Sequence, residues 1–524
     1  MNPYKKIVFE NLPRLLAQFD NDRSSESYGF GDRYYWAWGL IDFGNGTFQG
    51  AANGIARLWK FNLWPYKTSQ VYFLERIDAI FEGTEKLTRI DGSLEEAFPY
   101  EGSYCVTALV AYDLISTIQL LEDEVPQEKI EKWKTIIAPL ISYIIHTEET
   151  HAFISNHLAT AVAALVRWHA LTAEQAAETE AKKQLTRILN AQSDEGWFLE
   201  YEGADPGYQT LCLQFLADVH LLRADWNLIN SLTKSINFLC HFAHPDGSFG
   251  GVYGSRCTRF YYPSGILALS KEIPEALSLA KFMEKSINGQ NVVTLSTMDE
   301  PNFVPMFNSY VMAATLFENS ENNKKSTPIQ LPCQVRKPFR HYFEDAGVLI
   351  DAGKSFYNII STHKGGVTYH YKNGSNRIID CGNLISDPNN KLASTQFYNR
   401  ENRVTFAGDT LEIECGFYAV PKELPNLSRF IILRLLILLV CKFSTPKKFL
   451  KKFLVKVLIT KNKSWNLKCY RTIQLGVDLK IKDRINLPEG YRQLNKISYF
   501  VPIHMASKGY WQIQDEEKYS DSEN

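Results

Sequence analysis

The chain has 524 residues, 45% of them apolar and 22% charged, with a formal net charge of −1. That length predicts two to four domains with ample core, and the near-neutral balance excludes a chain drawn to nucleic acid by global charge. Nine scattered cysteines without a CxxC pair exclude a zinc ribbon and suit a reducing, cytoplasmic setting.

The N-terminus, MNPYKKIVFENLPRLLAQFDND, carries neither a long apolar run nor a small-residue cleavage site, so no secretory signal is expected. From there to residue 317 the sequence repeats. A polar loop followed by an apolar helical stretch recurs from Asp42, Asp91, Glu148, Asp194, Asp246 and Asp299, with gaps of 49, 57, 46, 52 and 53 residues. Gly102–Leu121, Ser155–Ala170, Gly207–Leu222 and Met306–Phe317 are mostly apolar. Glu128–Ile145, Ala173–Gln192, Leu228–Phe242 and Pro274–Ile287 carry more charge. An apolar helix after each loop and a half-polar one before the next describe nested hairpins. About six of them closing on themselves predict an (α/α) toroid over 1–317, with an open solenoid as the alternative.

Glu318–Pro338 is polar with three prolines and reads as a linker. Beyond it the period changes. Ala346–Ile350, Phe356–Ser361, Gly366–Tyr371 and Arg377–Asp380 are short, β-branched and aromatic, with a hairpin signal at Asn373-Gly374. Val404–Glu414 and Lys496–Val501 continue the theme, predicting an antiparallel β-sandwich over 339–515 and an acidic tail over 516–524. The fold class is therefore α+β multidomain. One segment breaks the β pattern: Ser428–Lys461 reads as two short helices around Pro446. From Leu424 to Val477 there are 12 Lys or Arg and no acid. This is either a helical insertion packed on the sandwich, a peripheral contact with anionic membrane, or a basic groove for an acidic polymer.

The loop-to-helix junctions hold the candidate chemistry. Asn156 to Tyr208 is 52 residues and Tyr208 to Tyr261 is 53, one repeat each, so a toroid places them at equivalent points on neighbouring inner helices. Asn156, His157, Tyr208, Arg256, Arg259, Tyr261 and Tyr262 would then converge on one rim. Such a set suits removal of a proton α to a carboxylate, where donors stabilise the developing charge and Tyr or His moves the proton. Hydrolysis would want two carboxylates at the rim, and the available acids, Glu101, Asp194, Glu195, Glu200, Glu202, Asp205 and Asp246, lie in the loops instead. Asn156 also fits a plain helix cap, and Tyr208 plain core packing. Trp36 and Trp38, in an aromatic cluster near the first repeat, would floor a sugar cleft. No phosphate loop, GxGxxG or HExxH occurs, so no cofactor and no metal are expected.

Six helical hairpins before a β-sandwich, with Asn-His on one inner helix and Tyr one repeat later, resemble the heparinase II/III-type polysaccharide lyases. The resemblance spans roughly residues 20–510. It implies β-elimination on a uronate-containing glycan, an acidic polysaccharide or oligosaccharide partner, Asn156 as carboxylate neutraliser, His157 as assisting base and Tyr208 as the proton-transfer group. Members of that family carry a His- and Asp-bearing strand before a DPG turn. Here Asp380-Cys381-Gly382 echoes the turn without the acidic partner, while His363 and His370 remain. The competing expectations are a non-catalytic glycan-binding or assembly protein on the same fold, and a glycoside hydrolase on an α/α toroid.

Overall fold

The computed structural model describes residues 2–39, 41–149, 152–320, 328–373, 377–420, 426–441, 443, 449–450 and 463–494. Helices come first: α1 (Pro3–Leu16), the single-turn α2 (Arg33–Trp36), α3 (Ala51–Lys60), α4 (Gln70–Leu87), α5 (Tyr104–Leu121) and α6 (Gln127–His146). There follow α7 (Ser155–Thr172), α8 (Gln175–Asn190), α9 (Pro206–Leu222), α10 (Ile229–Leu239), α11 (Pro263–Leu269), α12 (Pro274–Asn288) and α13 (Glu300–Ser320). The uniformly apolar segments form an inner ring, and the half-polar ones bury a single stripe on its outside. The helix α5 is apolar enough to cross a membrane by composition, yet 83% of it is buried within the ring.

In the inner ring α3 touches α5, then α7, α9, α11 and α13 follow, and α13 returns to α3. The toroid is closed, and the open-solenoid alternative falls. The last inner helix takes its outer partner from the start of the chain. Helix α1 packs on α13, Asn2 Nδ2 donates to the Ala314 carbonyl at 2.8 Å, and Arg14 Nε pairs with Glu300 at 2.8 Å.

The glycine loops turn through left-handed backbone. At Gly196 φ is +101°, and a Cβ there would lie 2.2 Å from the Lys234 carbonyl oxygen. Gly196→Ala is expected to cost about 1–3 kcal/mol, because strain and backbone clash act together. Thermal denaturation checks this, and an unchanged midpoint would refute it.

Strands follow: β1 (Phe339–Phe343), β2 (Val348–Gly353), β3 (Phe356–Ser361), β4 (Val367–Lys372), β5 (Ile378–Asp380), β6 (Leu384–Ser386), β7 (Leu392–Ser394), β8 (Arg403–Ala407) and β9 (Thr410–Ala419). The helix α14 (Leu427–Val440) then precedes β10 (Ser464–Gln474), β11 (Lys480–Ile485) and β12 (Arg492–Gln493). The first sheet runs β1-β2-β3-β4-β5. The second runs β11-β10-β9-β7-β6-β12, with β8 on β9, and every pairing is antiparallel. Val404–Glu414 is thus two strands, because Gly408 at φ +61° turns the chain into a hairpin. Gly374, Lys496–Val501, the acidic tail and most of Ser428–Lys461 beyond α14 lie outside the described residues.

The period of two splits the first sheet's side chains between two cores. Leu349 and Ile360 face the second sheet, against Leu411, Ile413, Phe417 and Ile473. Ile350, Ile359, Tyr357, Tyr369 and Tyr371 face the helices and join their core. The first sheet is therefore covered on both sides, and it sits on the toroid rim. Tyr357 Oη donates to the His241 carbonyl at 2.8 Å, and Tyr369 Oη accepts from Val252 N at 3.2 Å. Between the sheets lies Arg471. Its guanidinium pairs with both Asp483 oxygens at 2.8 Å and with Asp380 Oδ1 at 2.8 Å.

Candidate functional site

The rim is built where loops enter α7, α9 and α11. His157 is the third residue of α7 and Tyr208 the third of α9, and these helices are neighbours in the ring. The two side chains therefore occupy equivalent helix-start positions, a register one residue away from the Asn156–Tyr208 pairing that sequence spacing suggests. Both are partly exposed. His157 Nδ1 lies 3.0 Å from Glu149 Oε2, and Glu149 is buried. With Glu149 ionised, its carboxylate accepts from Nδ1–H and fixes the orientation of the ring.

Asn156 is only 2% exposed. It is not the helix cap: Ile154 holds that position, and the Asn156 backbone N and Nδ2 donate to Glu200 Oε1 at 3.1 and 2.8 Å. This pairing turns the Asn156 amide toward the protein's own acid, Glu200. Burial pushes the Glu200 carboxyl up to about 8, and the two Asn156 bonds hold it from rising further. Among the described residues Glu200 Oε2 is buried without a hydrogen-bond partner. A carboxyl whose folded pKa exceeds its unfolded value binds its proton more tightly when folded. Its contribution to stability is therefore present at low pH and is lost as pH climbs from about 4.5 to about 8. Glu200→Gln is expected to flatten the fall in melting temperature across that window, read from melts at a series of pH values. A slope equal to that of the wild type would reject the assignment.

Asp205 caps α9 and pins the fifth loop. Its Oδ1 accepts from Tyr208 N at 3.1 Å and from the Thr258 hydroxyl, and its Oδ2 accepts from Arg256 N at 2.9 Å. That use removes it as a hydrolytic acid. Arg256 is buried, with its guanidinium 4.0 Å above the Tyr201 ring. Arg259 is buried too, and its Nη2 reaches Tyr369 Oη at 3.5 Å, tying the loop to the first sheet. Lys364 Nζ comes from the sheet side to the Gly254 carbonyl at 3.0 Å and to Cys257 Sγ at 2.7 Å.

Several expected contacts are not presented. Tyr261 is 0% exposed, edge-on to Phe249 at 5.5 Å. Tyr262 is buried edge-on to Phe260 at 5.4 Å, with its N–H on Thr210 Oγ1. Both are core residues, because the fifth loop runs inward beneath the first sheet. Trp36 gives its indole N–H to the Gln18 carbonyl at 2.7 Å, while Trp38 points outward, 66% exposed. Both precede α3, which stands opposite α9 in the ring, so the structure does not bring them to His157 and Tyr208. His363 Nδ1 bonds Tyr398 Oη at 3.2 Å, and His370 bonds Asn358. Among the described residues no group of three His, Cys, Asp or Glu side chains is placed to hold a metal.

Sequence reasoning missed Glu149 as the partner of His157, and it missed Tyr201. A signal for Tyr201 exists: Tyr-Glu-Gly occurs at Tyr100-Glu101-Gly102 and again at Tyr201-Glu202-Gly203, 101 residues or two repeats apart. Both tyrosines take left-handed backbone, φ +64° and +59°, and each ring lies under an arginine, Arg89 at 4.7 Å and Arg256 at 4.0 Å. Burial raises the Tyr201 hydroxyl to about 12.

Among known families, residues 61–265 match the model described as Ulvan lyase N-terminal domain. No curated protein sequence matches the chain. Similar solved structures include Paenibacillus xanthan lyase, at 11% identity and TM-score 0.47, covering 79% of this chain and 44% of that one. Streptomyces coelicolor A3 chondroitin AC lyase, solved in complex with chondroitin sulphate, is 11% identical at TM-score 0.47, covering 80% and 67%. A family 76 glycoside hydrolase from a bovine Bacteroides thetaiotaomicron strain is 9% identical at TM-score 0.41, covering 61% and 78%. The chain thus spans less than half the length of the xanthan lyase. Its matched stretch runs from the end of α3 into α11 and carries His157, Tyr208 and Arg256, so over the site-bearing part of its toroid this chain is similar to the N-terminal domain of a polysaccharide lyase.

Proposed function

We propose that the chain is a polysaccharide lyase that cleaves a uronate-containing glycan by β-elimination at the α7–α9 rim. The observation that carries this reading is the pair of partly exposed proton-transfer side chains, His157 and Tyr208, at matching starts of adjacent inner helices. In this reaction the proton α to the carboxylate passes to a base. The electron pair forms the new double bond, and the glycosidic C–O bond breaks as a proton is returned to the leaving oxygen. His157, oriented by Glu149, is the base-type group, and the Tyr208 hydroxyl is the donor to the leaving oxygen. Arg256 supplies positive charge near the developing enolate, and Asn156 positions Glu200 rather than touching substrate. The match to a lyase domain over 61–265 supports the reading without naming the glycan. The heparinase II/III type is one member of this wider proposal.

The test is a panel of uronate polymers followed by the ultraviolet absorbance of the unsaturated product. Absorbance growth on at least one polymer is expected. Binding without product on every polymer would sink the reading in favour of a glycan-binding protein. New reducing ends without absorbance would replace elimination by hydrolysis.

A further inference from the structure

The helix α14 exposes a contiguous run of large apolar side chains. Its sequence, LSRFIILRLLILLV, is apolar on nearly every side rather than along one stripe. Among its described apolar side chains only Ile437, 3% exposed, is enclosed. Phe430, Ile431, Ile432, Leu435, Leu436 and Leu439 are each 45% to 69% exposed, and Phe443 just beyond is exposed as well. Scattered exposed leucines need no explanation, but a contiguous helix of them does.

From these observations we infer that α14 is a monotopic membrane-docking element, seated in the plane of an anionic bilayer. Length excludes a crossing: 14 residues make about 21 Å of helix, against a hydrocarbon thickness of about 30 Å. The shape of the apolar surface argues against a protein groove, which covers one stripe of a helix, whereas a helix apolar on nearly every side suits an apolar surround such as lipid. Charge selects the lipid. The sequence Leu424–Lys461 holds nine Lys or Arg and no Asp or Glu, in a chain whose overall net charge is −1. Arg434 is ion-paired with Asp42, four residues after the exposed Trp38, and Tyr34 is exposed nearby in sequence. Trp and Tyr favour the headgroup level of a bilayer. The Asp42–Arg434 pair also links α14 to the toroid's first loop. This inference stands apart from the lyase reading, since it requires no chemistry at His157 or Tyr208.

The full chain should be floated with phosphatidylcholine vesicles and with vesicles containing about one third phosphatidylglycerol, at low and high salt. Wild type is expected to co-float with the anionic vesicles, less so at high salt. The variant Ile432→Glu/Leu435→Glu/Leu439→Glu should float about tenfold less with an unchanged melting temperature, since these side chains are exposed. The milder Leu439→Ser variant should show the same direction should the triple variant fold poorly. Wild type left in the bottom fraction with anionic vesicles would overturn the inference, as would equal flotation of the variants. A dimer in light scattering that the triple variant splits, without flotation, would assign the helix to a second copy of the chain instead.

Discussion

Tyr208→Phe and His157→Gln are each expected to slow elimination on a responsive uronate polymer by about 10²–10⁴-fold while leaving the melting temperature near that of wild type. The magnitude follows from general acid–base catalysis, in which the side chain supplies a proton path and little binding. The expectation of intact folding follows from exposure: both residues reach solvent at helix starts, and neither Phe nor Gln opens a cavity there. Glu149→Gln adds a discriminating arm. A neutral amide can still hold His157 but no longer enforces its tautomer, so kcat should fall with KM nearly unchanged. Initial rates from product absorbance check all three. Full activity in Tyr208→Phe together with His157→Gln would remove the rim from the chemistry.

Arg471→Met is expected to destabilise the β-domain by about 3–5 kcal/mol, the largest stability effect foreseen here. The Arg471 side chain is fully buried and bonds Asp483 in a two-pronged pair, Asp380 across the sandwich, and the Gly366 carbonyl at 2.9 Å. Methionine fills the volume but strands two buried carboxylates without their cation. The companion Arg471→Met/Asp380→Asn/Asp483→Asn should recover much of the loss, because the penalty belongs to the uncompensated charge rather than to the missing bonds. Urea midpoints measure both. Equal midpoints for wild type and the single variant would refute the argument. The same network explains Asp380-Cys381-Gly382: Asp380 also accepts from Gly382 N at 2.8 Å, so the motif is a structural turn held by Arg471.

The toroid was legible because its signals are local. Apolar helices such as Gly102–Leu121 announce themselves by composition, and Asp-Gly turns such as Asp91-Gly92 and Asp246-Gly247 announce the loops. Phe356–Ser361 was equally legible as a strand, since its β-branched and aromatic run occupies β3. The site was legible in part. Spacing led to the correct loops, yet an α-helical register must be fixed to within one residue to know which side chain faces out. Asn156 and His157, adjacent in sequence, end on opposite sides of that distinction.

By itself the sequence determined an α/α repeat followed by an antiparallel sandwich, for periodicity and turn chemistry are properties of a few consecutive residues. Tertiary structure alone decided the rest. It closed the ring through α13 on α3, laid the first sheet over the fifth loop so that Tyr261 and Tyr262 became core, and turned the Asn156 amide to Glu200. It also set Glu149 behind His157 and left α14 uncovered. Each of these turns on what packs against a side chain from a distant part of the chain, and burial of that kind leaves no trace in local pattern.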